Sequence, residues 1–342
     1  MASTTTPQTG LVALIFCKTA LQIQNDDPLQ SITSNLTTAL QPLFPTLTPT
    51  TATTTRYLDA SATTARVLEL TLPTTGPSPS LPECTAATHS PALAALQAQN
   101  SWNLVLQPLE LYRSHSQPGL AVFDMDSTLI QQEVIDELAR AVGCYDQVAA
   151  ITEAAMRGEA PYADFEASLR ARVGLLRGVP VGVWEDLKKG VISFTPGAAE
   201  LVKVLRGLGW KTAVLSGGFT PLAVWVKETL GLDYAFANHL VADEGRGVLT
   251  GELVEGMPII HAEKKRELLL RLAGENGIPA ERCVAVGDGS NDLLMMGAAG
   301  LGVAFNAKPK VQLAAPARLN GESLLDVVHV LGYERGEVEK FL

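Results

Sequence analysis

One stretch, GLAVFDMDSTLI over Gly119–Ile130, limits what this chain can fold into more than any other. Leu120 to Phe123 is a short, wholly apolar run containing Val and Phe, the pattern of a buried strand. Asp124 follows at once, then Asp126, Ser127 and Thr128. A carboxylate has no place in a buried run unless it sits at its mouth with a partner. The spacing therefore puts Asp124 where the strand leaves the sheet. In extended backbone, residues two apart face the same side, so Asp124 and Asp126 can aim at one point with Met125 turned away. Two carboxylates at one point repel unless a cation or a shared proton relieves them. That suits one carboxylate acting as a nucleophile beside a metal while the other keeps or exchanges a proton. The plainer alternative is a strand ending in an Asx-turn, with Ser127 capping a helix. A calcium loop needs Gly at its sixth position and Glu at its twelfth; counted from Asp124 those are Leu129 and Ile135, which excludes it.

Beyond Ile130 the pattern turns helical. Glu133–Val142, Tyr145–Arg157, Tyr162–Leu176 and Val181–Lys189 read as four helices rich in Glu, Ala, Leu and Arg. They form a cap at about 131–194, inserted between the first strand and the rest, able to close over a site and exclude water. After Thr195-Pro196-Gly197, strands and helices alternate. A helix runs to Gly207, and a strand over Trp210–Leu215 ends in Ser216-Gly217-Gly218. A helix over Phe219–Leu230 follows, then strands Tyr234–Val241 and Gly247–Leu253 around an Asp243-Glu244-Gly245 turn. Helix His261–Asn276, strand Arg282–Val286 ending in GDGSND (Gly287–Asp292), helix Asp292–Ala299 and strand Leu301–Phe305 complete the series. Such alternation implies an α/β fold with a mostly parallel, Rossmann-like sheet and helices on both faces. Ligands of such sheets sit at the carboxyl ends of the strands. Asp124, Ser216 and Asp288 each fall at such an end, though far apart in sequence.

Residues 1–112 have another texture, rich in Thr, Ser and Pro. Strands at Leu11–Cys17, Arg56–Asp59, Arg66–Leu72 and Trp102–Leu109, with helices at Asp27–Leu43 and Pro91–Gln99, give the order βαββαβ. That is a ferredoxin-like α+β unit. ACT-like modules of this kind sense amino acids beside biosynthetic enzymes, but no ligand motif is present, and a dimerising or purely structural module fits as well. Pro45–Arg56 (PTLTPTTATTTR) reads as a low-complexity, mobile loop and Arg113–Pro118 as the linker to a second domain over 119–342.

The net charge of −10, with no Lys/Arg cluster, argues against nucleic-acid partners. A small anionic substrate then needs a local cationic pocket. Cys17, Cys84, Cys144 and Cys283 are widely spaced with no CxxC, which suits reduced thiols. No apolar run reaches the roughly 18 residues of a bilayer span, and the first basic residue is Lys18, so neither a membrane anchor nor a basic leader is expected. The expected compartment is the cytoplasm.

FDMDSTLI followed by QQEVIDELA closely resembles the phosphoserine phosphatases of the haloacid dehalogenase superfamily, over about 119–335. The resemblance implies a Mg²⁺-dependent hydrolysis of O-phospho-L-serine to L-serine and phosphate, the last step of serine biosynthesis. It makes Asp124 the nucleophile that forms an aspartyl-phosphate and Asp126 the general acid and base. Ser216 with Gly217 matches a second family motif, a hydroxyl and a bare N–H at a helix N-terminus that bind phosphate oxygens. Lys265 matches a third, with the adjacent Lys264 left open. GDGSND is the fourth: Asp288 holds Mg²⁺ with the Asp124 carboxylate and the Asp126 main-chain carbonyl, while Asp292 and Asn291 support the site or touch phosphate. In the cap, Glu133 falls at the ammonium partner and Arg172 at the carboxylate-binding arginine, with Arg170 its competitor. Met156 and Phe165 wall the pocket.

The ordinary alternatives are a helix-terminal Glu133 and a surface Arg172. Two rival functions stand beside this one: the same chemistry on another small phosphate, or with transfer of the phosphoryl group to an alcohol instead of water; and an amino-acid-binding regulator with a silent phosphatase domain. Cation-pumping ATPases share a similar Asp motif but need membrane spans. The partners implied are phosphoserine itself, no nucleic acid, no membrane, and a second copy of the chain as the one protein partner left open.

Overall fold

Residues 9–23, 26–48 and 53–342 are described by the computed structural model, and they build two large sheets. The first contains β1 (Gly10–Gln22), followed by α1 (Asp26–Leu40), β2 (Thr54–Tyr57) and β3 (Thr64–Pro73). After α2 (Leu81–Thr88) and α3 (Pro91–Asn100) comes β4 (Trp102–Pro108). The strands are antiparallel in the order β2-β3-β1-β4. Each crossover leaves room for one strand, as the ferredoxin-like order requires. β1 reads LVALIFC without alternation because both of its faces are covered. Leu11, Ala13 and Ile15 pack with Ile32, Leu36 and Leu93 of the flanking helices. Val12, Leu14 and Phe16 pack with Leu109, Tyr112 and the C-terminal segment.

Three expectations for this half need amendment. α2 was not foreseen, although Ser80 and Glu83 form the reciprocal capping box that its SLPE start encodes. The expected linker at Arg113–Pro118 begins inside α4 (Leu109–Ser114), which buries Leu109 and Tyr112. In the expected mobile loop at Pro45–Arg56, Leu47 bridges to Thr74 and β2 begins at Thr54; residues 49–52 lie outside the described residues, as do 1–8, where a basic leader would begin.

The second sheet carries the site. β5 (Leu120–Phe123) leads into the cap helices α5 (Val134–Ala141), α6 (Tyr145–Met156), α7 (Phe165–Gly174) and α8 (Val183–Gly190). Ile130 and Phe194 pair antiparallel, so the chain leaves for the cap and returns at one point. The chain then runs α9 (Ala198–Gly207), β6 (Lys211–Phe219), α10 (Thr220–Leu230), β7 (Tyr234–Asn238), β8 (Leu240–Asp243) and β9 (Val248–Leu253). It continues with α11 (Ala262–Glu275), β10 (Cys283–Gly287), α12 (Leu293–Ala298), β11 (Leu301–Phe305), α13 (Pro309–Ala314), β12 (Ala317–Leu319), α14 (Val327–Val330) and α15 (Arg335–Val338). The sheet is parallel in the order β12-β11-β10-β5-β6-β7. From β5 the order grows to one side through β7 and then to the other from β10, so the switch point lies between β5 and β10, where such sheets hold ligands.

The single strand expected over Tyr234–Val241 is two. β7 belongs to the parallel sheet, while β8 pairs with β9 beside α7. The break follows Asn238, whose amide is spent on the loops around it: Nδ2 donates to Gly217 O at 2.8 Å and Oδ1 accepts from Ile260 N–H at 2.9 Å. Among the described residues no helix is long and apolar enough to cross a membrane.

Candidate active site

Asp124 extends the β5–β10 ladder by one bond, its N–H donating to Val286 O at 2.9 Å. The chain then turns sharply. Ser127 takes φ 55°, and the Ile130 N–H closes the turn on Met125 O at 3.0 Å. Met125 is fully buried, while Asp124 and Asp126 both face the same cavity, as the two-residue spacing predicted. Ser127 does not cap a helix; its hydroxyl donates to Glu133 Oε1 at 2.9 Å. Thr128 donates to Asp288 Oδ1 at 3.2 Å, joining the β5 loop to the β10 loop.

Lys265, from α11, is wholly buried, with Nζ 2.8 Å from Asp124 Oδ1 and 2.7 Å from Asp292 Oδ1. Burial works against its charge, but the two carboxylates outweigh burial and hold the ammonium above its ordinary value. Lys264 pairs instead with Glu267, so of the two lysines it is Lys265 that is joined to Asp124. Asp292 Oδ2 accepts the Gly289 N–H at 2.9 Å. This packing requires Gly287, where an added Cβ would lie 2.4 Å from Asp292 Cγ.

Carboxylate oxygens of Asp124, Asp288 and Asp292 lie within 4.8 Å of one another. Among the described residues, Lys265 is the one cation ion-paired to them. Burial, Asp124 and Glu133 push Asp288 up to about 6. Burial, Glu133 and Asp124 likewise hold Asp126 well above the usual carboxylate range. An all-oxygen, charge-deficient cluster of this kind fits a hard divalent cation. The Asp126 carboxyl is not part of it: Oδ1 accepts the Val134 N–H at 3.2 Å. Asp292 belongs to the same cluster, its two oxygens taken by Lys265 and the Gly289 N–H.

The cavity above the cluster has a volume of about 350 Å³. Glu133, Met156, Phe165 and Arg172 enter it from the cap, and Gly217, Gly218, Asn291 and Lys308 from the sheet side. Arg172 Nε donates to Ser168 O at 3.3 Å. Burial lowers its pKa, opposed by Asp136 and Glu133. Arg170 lies outside, paired with Glu166. Met156 is 69% exposed at the mouth. Phe165 packs edge-on to His261 across the boundary between cap and sheet.

One expectation is corrected here. Ser216 and Gly217 are not at a helix N-terminus, because β6 runs on to Phe219 through an irregular register and α10 begins at Thr220. Ser216 is fully buried behind the cavity wall, its Oγ accepting the Gly218 N–H at 2.8 Å. Gly217 and Gly218 both line the cavity, and at Gly218 a Cβ would sit 2.7 Å from Asp126 Oδ2. Lys308 was missed. It follows β11, a further strand end on the same side, and its N–H donates to Asp288 O at 3.3 Å. Its ammonium opposes the rise of the Asp288 pKa. In the sequence it stands in an ordinary KPK after Leu301–Phe305, with no phosphate-binding pattern around it.

A model of the haloacid dehalogenase-like hydrolases matches residues 121–297. This chain belongs to that family. A "probable phosphoserine phosphatase" of Schizosaccharomyces pombe is 48% identical to this hydrolase over 223 residues, which are 65% of this chain and 73% of that protein. Among solved structures, a haloacid dehalogenase family hydrolase of Salmonella enterica serovar Typhi superposes with a TM-score of 0.71 at 30% identity. That match covers 94% of this hydrolase and 98% of the other, so the antiparallel sheet is shared too. A phospho-aspartyl intermediate analogue of a phosphoserine phosphatase superposes at TM-score 0.57 and 41% identity, covering 63% of this hydrolase and 99% of that chain.

Proposed function

We propose that this hydrolase is a phosphoserine phosphatase that cleaves O-phospho-L-serine to L-serine and phosphate through an aspartyl-phosphate. One observation carries the reading. Asp124, bonded to a buried lysine, lies on the floor of a cavity whose cap wall presents one arginine and one glutamate. Phosphate, carboxylate and ammonium each find a counterpart there. The names of the S. pombe relative and of the phospho-aspartyl structure support the same substrate.

In this reading Asp124 attacks phosphorus as the bond to the serine oxygen breaks. Asp126, kept protonated by burial and by Glu133 and Asp124, gives its proton to the departing oxygen. It then takes a proton from the water that attacks the phosphoryl group on Asp124, which releases phosphate and restores both carboxyls. Lys265, the Gly217 N–H and Asn291 bind phosphoryl oxygens, with Ser216 acting from behind the wall. Arg172 takes the substrate carboxylate, Glu133 the ammonium, and Met156 and Phe165 cover the substrate. Mg²⁺ would be held by Asp124, Asp288 and the Asp126 carbonyl with Asp292 in support, and would supply positive charge against the phosphoryl oxygens.

The wider reading places the enzyme at the end of serine biosynthesis in the cytoplasm, where its unpaired thiols stay reduced. Residues 1–112 form the ACT-like unit and 119–342 the hydrolase with its cap at 131–194. Rates on phosphoserine, phosphoethanolamine and 3-phosphoglycerate test the substrate. The second lacks the carboxylate and the third the amine, so phosphoserine is expected to be fastest by at least about tenfold in kcat/KM. Equal rates on all three refute the roles of Arg172 and Glu133.

A further inference from the structure

We propose that Ser168 is a specificity residue whose hydroxyl binds the substrate carboxylate beside Arg172; the proposal rests on the phosphoserine reading above. Phe165, Ser168, Leu169 and Arg172 stand at helical spacing on one face of α7, and all four line the cavity. Ser168 is 2% exposed, yet its hydroxyl has no hydrogen-bond partner. A serine within a helix ordinarily bonds back to the carbonyl four residues earlier or points to water. Here Asp164 O receives only the Ser168 N–H, at 3.0 Å, and burial excludes bulk water. A buried hydroxyl left unmatched is costly. Among the described residues, the other buried side-chain atoms without partners, on Thr37, Gln107 and His115, lie outside this cavity.

The neighbour selects the ligand. Arg172 Nε donates to the Ser168 carbonyl, which fixes the guanidinium and leaves its terminal nitrogens for a ligand. Ser168 and Arg172 lie one turn apart on α7 in the same cavity wall, and that part of the wall selects an anion, because the arginine repels the ammonium. A carboxylate has room for two arginine N–H donors and one O–H donor. The ammonium is left to Glu133, which enters the cavity from the start of α5. The hydroxyl belongs to a residue of the cavity wall and has no partner within the fold, so a substrate carboxylate provides the acceptor that the fold does not.

The test uses the full chain with Mg²⁺ and two substrates, phosphoserine and phosphoethanolamine, which shares the phosphate and amine but lacks the carboxylate. Ser168→Ala is expected to raise KM for phosphoserine about tenfold, with kcat and the phosphoethanolamine constants unchanged. Ser168→Thr, which keeps the hydroxyl, is expected to recover most of the loss. An unchanged KM for phosphoserine in Ser168→Ala, or an equal change on both substrates, overturns the proposal. Arg172→Ala separates the two levels. If it abolishes the preference for phosphoserine while Ser168→Ala does not reduce it, only the Ser168 role falls. If the unsubstituted enzyme shows no preference, the reading beneath it falls as well.

Discussion

At the scale of single residues the site is a problem of charge. Three clustered carboxylates share one buried ammonium, and burial beside Asp124 and Glu133 pushes the Asp288 carboxyl from 3.8 up to about 6. A carboxyl raised on folding contributes stability that is present below its unfolded value and lost as pH rises through its folded value. In excess EDTA the protein is therefore expected to lose roughly 3 kcal/mol of stability between about pH 4 and pH 7 relative to Asp288→Asn, measured by urea unfolding at each pH. Mg²⁺ is expected to return stability to the unsubstituted protein at pH 7 and not to the variant. Most of these residues were legible in the sequence, because a carboxylate directly after a buried apolar run has few places to be. Asp292 was harder to place: its spacing from Asp288 does not show that Lys265 would stand between it and Asp124. Lys308 and Ser168 carried no motif, and only folding brings them to the cavity.

At the scale of elements, the strands leading into the site were readable because their apolar runs end in Asp, Ser-Gly-Gly or Gly-Asp-Gly. Period alone could not say that β6 continues through Gly217 and Gly218, since glycines end strands as readily as they bend them. Nor could it separate β7 from β8, where the break depends on bonds from Asn238 to Gly217 and Ile260. The loop after β10 has little tolerance. Gly287→Ala places a methyl within 2.4 Å of Asp292 Cγ and is expected to cost about 1–3 kcal/mol. The same change displaces the carboxylate that holds Lys265, so kcat should fall with stability. A variant with unchanged melting and unchanged kcat would show that this loop yields freely.

At the scale of the whole molecule, the N-terminal sheet is tied to the hydrolase rather than tethered beside it. Arg56 of β2 pairs with Glu69 of β3 and with Glu334 near the C-terminus, and Tyr112 donates to Glu69. Asn103 and Asn320 exchange hydrogen bonds where β4 meets β12. The ties across the molecule were not legible, because Arg56 and Glu334, and Asn103 and Asn320, lie more than 200 residues apart and the C-terminal helices are too short to show a period. Arg56→Ala leaves the buried Glu69 with less compensation, and is expected to lower the melting temperature by a few degrees with kcat unchanged. The central claim concerns the other end of the molecule. Phosphate release from O-phospho-L-serine is its most direct test, measured for the unsubstituted enzyme and Asp124→Asn, each with Mg²⁺ and with excess EDTA. The account predicts turnover with Mg²⁺ alone, lost in EDTA, and lower by at least about 10³-fold in Asp124→Asn; release by Asp124→Asn at the unsubstituted rate would contradict it.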